Sequence, residues 1–308
     1  MAVDRHTYAS TDDLRDYLAG TTYSSGWTSD AGVLRRVLES SSRRIDDYCE
    51  GGTFGAKTET RVFDIGRGTL RNSSQLFGYT NDVGELSSLN SGAGIIPLDN
   101  WLISATTITS YKQTARTENE VLAEGVTNDY LLMPYNTTPK TTLKLNEDTS
   151  KGFHGGQKTL TILGSWGYTN DTEEITDLNG AVSSTTATTV AVTSATNLSP
   201  AETILVDAEQ MYITSISTNN LTVERGVNGT TAATHSDEDA VKSFLYPSEV
   251  VQACLDLSKI IFRDRDMGTV QTLGGGEQGV TRAGQEASDV LKTLDNYRTR
   301  ALSGSIVF

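Results

Sequence analysis

Tyr246-Pro247-Ser248-Glu249-Val250-Val251-Gln252-Ala253-Cys254-Leu255-Asp256-Leu257-Ser258-Lys259-Ile260-Ile261-Phe262-Arg263 is the stretch whose reading decides the fold. At ~100° per residue its apolar side chains, Val250 through Phe262, cover an arc of roughly 220°. Glu249, Gln252, Asp256, Lys259 and Arg263 share the remaining strip. A helix at a domain surface needs an apolar stripe nearer ~100°. This helix is therefore expected to be covered from two sides. Pro247 and Ser248 supply a start signal, with Ser248 as N-cap and Glu249 placed favourably against the helix dipole.

Helical patterns at both ends of the chain can supply that cover. One is expected over 12–20, capped by Ser10 or Thr11, and a second over 30–50, closed by Gly51-Gly52. A last helix over 287–300 carries Val290, Leu291, Leu294 and Tyr297. With 247–266 these are expected to form a small helical bundle. Its core would comprise Leu34, Leu38 and Ile45 from the second helix, Val250, Cys254, Leu257 and Ile261 from the third, and Leu291 and Leu294 from the last. Arg35-Arg36 and Arg43-Arg44 lie mostly off the stripe. They read as a solvated face paired with Glu39, Asp46 and Asp47, or as a basic patch for a partner.

From Lys57 the period changes to two. Strands are expected over 59–65, 101–111, 120–122, 130–133, 141–145 and 158–167, with a long polar loop over 72–94. Regularly spaced strands without intervening helices argue for an antiparallel sandwich or barrel. A run rich in turn residues then follows, including the hairpin signal Asn219-Asn220. It reads as a small all-β module of about five short strands, inserted so that its host continues on either side. The fold class is therefore α+β: N- and C-terminal helices forming a small bundle, an antiparallel β sandwich or barrel in the middle, and an inserted all-β module. The divisions fall at 1–56, 57–171, 172–243 and 244–308.

Composition narrows the function. The formal charge of −14 argues against a surface that grips phosphates. Cys49 and Cys254 are the only cysteines, and each sits in a helical pattern, so both are expected as buried free thiols. No apolar run approaches the ~18 residues of a membrane span, and Met1-Ala2-Val3-Asp4-Arg5-His6 shows no signal-peptide core. A soluble, non-secreted protein is expected. His6, His154 and His235 each lack a second metal-type ligand at helical or loop spacing. His235, beside Asp237-Glu238-Asp239, reads as a cation site or as a solvated acidic turn. No nucleophile elbow occurs, and Leu273-Gly274-Gly275-Gly276-Glu277-Gln278-Gly279-Val280 lacks the flanking strand and Lys-Ser/Thr of a phosphate cradle. No catalytic residue, metal or cofactor is expected.

Three parts of the chain together resemble a known family. They are the strand end Ser165-Trp166-Gly167-Tyr168, the Pro-led helix Pro247-Ser248-Glu249-Val250-Val251-Gln252-Ala253-Cys254, and the closing Asn296-Tyr297-Arg298. The layout around them resembles the head-to-tail adaptor proteins (head completion, or connector) of tailed viruses, over most of residues 8–300 outside the module. Within the module, Glu209-Gln210-Met211 and Arg225-Gly226-Val227-Asn228-Gly229-Thr230 resemble a β module of tailed-virus structural proteins. The resemblance implies a closed ring of about twelve copies, placed in the virion neck and assembled in the host cytoplasm. It would join the portal protein to tail or neck proteins. Double-stranded DNA would pass through its lumen without sequence-specific binding, and no membrane would be involved. Portal contact is expected from the Gly-rich segment and the tail, with Leu273, Gly274, Gly275, Gly276, Val280, Ile306, Val307 and Phe308 as candidates. The alternative is a receptor-binding or decoration protein of the virion surface.

Overall fold

The computed structural model describes residues 4–19, 31–65, 95–112, 119–146, 148–267 and 281–298. The protein is broadly α+β, with two antiparallel sheets and four α-helices among these residues. The chain divides into two compact units, one formed by 1–55 together with 170–308 and the other by 56–169.

The first unit holds the four described α-helices. Helix α1 (Thr11–Leu18) starts on a capping box: Ser10 Oγ accepts from the Asp13 amide at 3.1 Å, and the Asp13 carboxylate accepts from the Ser10 amide at 2.9 Å. Helix α2 (Ala31–Cys49) buries Val33, Leu34, Val37, Leu38, Ser41, Ser42, Ile45 and Cys49, one stripe at helical spacing. Helix α3 (Ser248–Met267) is the organising stretch. Its first free amides, Val250 and Val251, donate to the Pro247 carbonyl at 2.9 and 3.1 Å, so the helix begins one residue earlier than a Ser248 cap implies. Helix α4 (Thr281–Lys292) starts within the region expected to be Gly-rich loop, where Arg282, Ala283, Gln285 and Glu286 are good helix formers. It stops at Lys292, and the expected continuation to 300 is instead a 3-10 turn, Asp295–Tyr297.

Helices α1, α2 and α4 all pack on α3. The wide apolar arc is thus covered from more than one direction, with Val250, Ala253, Cys254, Leu255, Leu257, Ile260 and Phe262 buried. Small residues let α2 approach: Ser258 Oγ donates to Ser41 Oγ at 2.9 Å, and Ser42 Oγ lies 3.6 Å from Cys254 Sγ. Leu34, Leu38, Ile45, Val250, Cys254, Leu257 and Leu294 are buried as expected of a core. Ile261 and Leu291 are corrections, because both are only half-buried. Phe262→Asp is expected to destabilise by about 3 kcal/mol or more, and Ile261→Asp by about 1 kcal/mol, since a half-buried carboxylate can still reach water. Urea unfolding of the two variants checks the order, and equal losses would refute it.

The same unit contains six antiparallel strands: β7 (Thr172–Asp177), β8 (Thr189–Ala191), β9 (Thr203–Val206), β10 (Glu209–Ser217), β11 (Asn220–Glu224) and β12 (Ala240–Phe244). Their order is β7-β12-β9-β10-β11-β8, and Leu178, Val190, Ile204, Met211, Leu221 and Val241 are among the residues that form the core. Expected as an insert separable from the helices, this segment is instead bonded to them. Thr11 Oγ1 lies 2.9 Å from Ser199 Oγ, Tyr212 Oη donates to Glu39 at 2.8 Å, and Arg5 pairs with both Glu224 (2.8 Å) and Glu39 (3.2 Å).

The second unit is one bent sheet. Strands β1 (Lys57–Ile65), β6 (Gly156–Trp166), β2 (Ile95–Tyr111), β5 (Lys140–Leu145) and β4 (Tyr130–Met133) follow in that order, with β3 (Asn119–Leu122) also on β2. The long β2 extends to Ile95 and shifts register twice against β6, which bends the sheet around Leu102, Ile108, Leu143, Leu160 and Ile162. The Trp-Gly-Tyr strand end has a packing reason. Trp166 is buried, donates Nε1–H to the Glu59 carbonyl at 3.2 Å and lies beneath Arg61 at 4.8 Å. Gly167 has φ 147°, a conformation that glycine tolerates best, and its amide donates to the Trp101 carbonyl at 2.9 Å.

Candidate functional site

A cluster of ionisable side chains that the sequence did not announce sits in the β7–β12 sheet. Strand β10 opens with a buried carboxylate, Glu209, 1% exposed, ahead of the buried run Gln210 to Ile213. A charge in that position requires partners. The β11 end supplies them by folding back through Arg225-Gly226. Arg225 forms a two-pronged pair with Glu209, Nε to Oε1 at 2.6 Å and Nη2 to Oε2 at 2.7 Å. The Gly226 amide donates to Oε1 at 3.0 Å and the Ala233 amide to Oε2 at 2.8 Å. His235 Nε2 lies 2.9 Å from Oε2. Arg225 also donates to the carbonyls of Ser184 and Ala187, at 3.2 Å each, and of Ala233 at 2.5 Å. Burial alone would raise the Glu209 pKa, but the bonds from Arg225, Ala233 and His235 outweigh it and lower it to about 2.

This arrangement is poorly suited to proton transfer. A general base must present a lone pair to a substrate, and both oxygens of Glu209 are already occupied. The cluster acts instead as a clamp that holds the 225–235 loop on β10.

A second polar cluster fixes the N-terminal segment. Asp4, His6 and Tyr8 alternate along the N-terminal segment, and Arg43 of α2 reaches Asp4 and the His6 carbonyl. Arg43 pairs with Asp4 and Asp46, each at 2.9 Å, and donates to the His6 carbonyl at 2.6 Å. His6 Nδ1 lies 2.9 Å from Tyr246 Oη, and Tyr8 donates to Asp46. A Cβ on Gly55 would lie 2.3 Å from His6 Nδ1, so only glycine permits this approach. Of the four arginines on α2, Arg36 and Arg44 are exposed. Arg43 is neither a solvated charge nor a partner patch, but a tie between the N-terminus and α2. The Arg43–Asp46 spacing of three residues was the available signal; Asp4 was not legible without the fold.

Near the start of α1, burial raises the Glu202 pKa to about 8, and the charges of Asp13 and Asp12 add to the effect against a bond from Ser199. A folded-state pKa above the unfolded value of ~4.3 gives a stability contribution that is complete below pH ~4. That contribution is lost as pH rises through 8. Glu202→Gln is expected to flatten this alkaline slope in urea midpoints measured from pH 5 to 9. An unchanged slope would reject the assignment.

Cys49 and Cys254 are both buried thiols outside any disulfide, and burial pushes them up to about 12 and about 11. Native labelling by a thiol reagent is expected to be slow and to accelerate on unfolding. Rapid labelling of the native chain would contradict the packing.

A groove of about 480 Å³ runs between α3 and α4, with Ile260 and Val290 as its apolar lining and Asp256, Lys259, Arg263 and Glu286 around it. The expected portal-contact residues Leu273, Gly274, Gly275, Gly276, Val280, Ile306, Val307 and Phe308 lie outside the described residues. No family model, curated protein or solved structure matches this chain.

Proposed function

We propose that this chain is a structural adaptor of a tailed virus, joining the portal of the head to the tail or neck. The observation that carries this reading is how the closing residues dock. Arg298 pairs with Glu50 at 3.3 Å, Tyr48 donates to Asp295, and Tyr297 donates to Glu249 at 3.0 Å while its ring meets Phe54 edge-on at 5.4 Å. The Tyr-Arg ending is among the residues that resemble the adaptor family, and here it ties the C-terminal segment to the ends of α2 and α3. Helices from both ends of the chain then act as one small bundle, and the bent sheet of the second unit serves as the barrel-like body.

In this reading the chain assembles with itself into a ring of about twelve copies. The net charge of −14 suits a lumen through which DNA must slide without sticking. The Gly-rich segment and the tail, through Val280, Ile306, Val307 and Phe308, contact the portal. The protein is not an enzyme and works in the neck of the virion, having assembled in the host cytoplasm. Native mass spectrometry of the purified chain, paired with negative-stain imaging, tests the proposal. A closed ring, formed alone or on mixing with the portal, is the expected result. A trimer that never closes would favour a receptor-binding or decoration protein, and a monomer inert towards portals would reject the adaptor reading.

A further inference from the structure

Loop 123–129, which links β3 to β4, is held by a dense set of hydrogen bonds. The carboxylate of Asp129, a buried residue, accepts from the Ala123 amide and Lys151 Nζ at 2.8 Å each, and from Thr149 Oγ1 at 2.7 Å. Asn146 Nδ2 donates to the carbonyls of Gly125 and Asn128, each at 2.7 Å. The Gly125 amide donates to the Tyr130 carbonyl at 2.9 Å, and the Asn128 amide closes a turn on the Gly125 carbonyl at 3.0 Å. Val126 is the first central residue of that turn. At 85% it is the most exposed large apolar side chain among the described residues. A lone apolar residue on a surface needs no explanation. One held out on a braced loop is different, because its ordering is complete before any partner arrives.

We propose that Val126 is a docking knob for a second copy of this chain, which receives it in the groove between α3 and α4. Two complementarities select that occupant. The groove, of about 480 Å³, offers apolar contact at Ile260 and Val290, with ample room for one isopropyl group. Charge matches beside it. Glu124, two residues before the knob, is exposed and pairs with no cation among the described residues. Lys259 lines the groove, and its one described partner is the ring of Tyr17, 5.5 Å away. Knob and groove are different parts of the chain, so the contact is heterologous, each copy giving one knob and accepting another. Repetition of such a contact closes a ring or extends a filament. The inference therefore rests on the self-assembly proposed above and assigns one of its contacts.

The test follows self-association of the full chain, with and without the portal, by sedimentation and native mass spectrometry. Val126→Asp should leave the melting temperature unchanged and weaken self-association by about tenfold or more. Lys259→Glu should also weaken it, and adding Glu124→Lys to the same chain should restore it. A mixture of Val126→Asp chains with Lys259→Glu chains keeps one working knob and one working groove, so it should stop at mixed pairs. Val62→Asp on β1, at a position 50% exposed, is the control and should assemble as the parent does. Rings untouched by Val126→Asp, or weakened as much by Val62→Asp, would overturn the knob and leave the adaptor reading standing. Failure of the charge reversal to rescue would overturn the groove as its receptor. A chain that never self-associates, even with the portal, would overturn both.

Discussion

Replacing Glu209 with alanine is expected to cost about 3–5 kcal/mol, a large part of the stability of an ordinary domain. The loss follows from what remains. Arg225, 6% exposed at its side chain, would keep its bonds to the Ser184, Ala187 and Ala233 carbonyls but lose its only described counter-charge. The Gly226 and Ala233 amides would lose their acceptor as well, and each unmet buried group adds a penalty. Glu209→Gln keeps the shape but turns a donor towards these donors, so it should recover little. Arg225→Lys should also fail, because an ammonium cannot make the two-pronged pair. Replacing both residues by methionine should restore much of the loss, since it removes the uncompensated charge along with its partner. Denaturant midpoints of Glu209→Met, Arg225→Met and the double methionine variant form a cycle with a large coupling term. Additive losses, or an alanine variant as stable as the parent, would show that the clamp contributes little.

The contrast between what sequence reveals and what it hides lies in the range of the signal. Helix α2 was legible because Leu34, Leu38 and Ile45 repeat at helical spacing, and the strands of the second unit because their burial alternates with period two. Both patterns are local. The Glu209–Arg225 pair spans a whole hairpin, so its register exists only once β10 and β11 are paired. One hint was present: a carboxylate between Val206 and Met211, positions that read as core, must find a partner or not fold. Ile261 erred differently. Its angular position on α3 was right for a core, but angle alone does not say which parts of a wide apolar arc other elements cover.

Deleting 172–243 and bridging Tyr168 to Phe244 with a short Gly/Ser linker is expected to abolish cooperative folding of the helical unit. The sequence alone argues for the opposite outcome, since the turn-rich run begins and ends where its host pattern breaks off and resumes. Such boundaries show where a segment leaves its neighbours, not what its faces touch. Here the faces touch through small polar groups that carry no apolar pattern. The Thr11 amide donates to the Pro200 carbonyl at 3.3 Å, Thr7 donates to the Ala201 carbonyl, and the Arg5 amide donates to Asn228 Oδ1 at 2.8 Å. Thr7 and Thr11 are 5% and 0% exposed, so the deletion would strip buried donors of their acceptors and uncover the side of the N-terminal segment that faces β9 and β10. Several unmet groups at about 1–3 kcal/mol each exceed what a marginally stable unit can lose. Circular dichroism of the deleted chain should show helical signal that melts without a sharp transition, and the buried Cys254 should react with thiol reagents at the rate of unfolded protein. A cooperative helical melt near the parent midpoint, with Cys254 still protected, would restore the separable-insert reading.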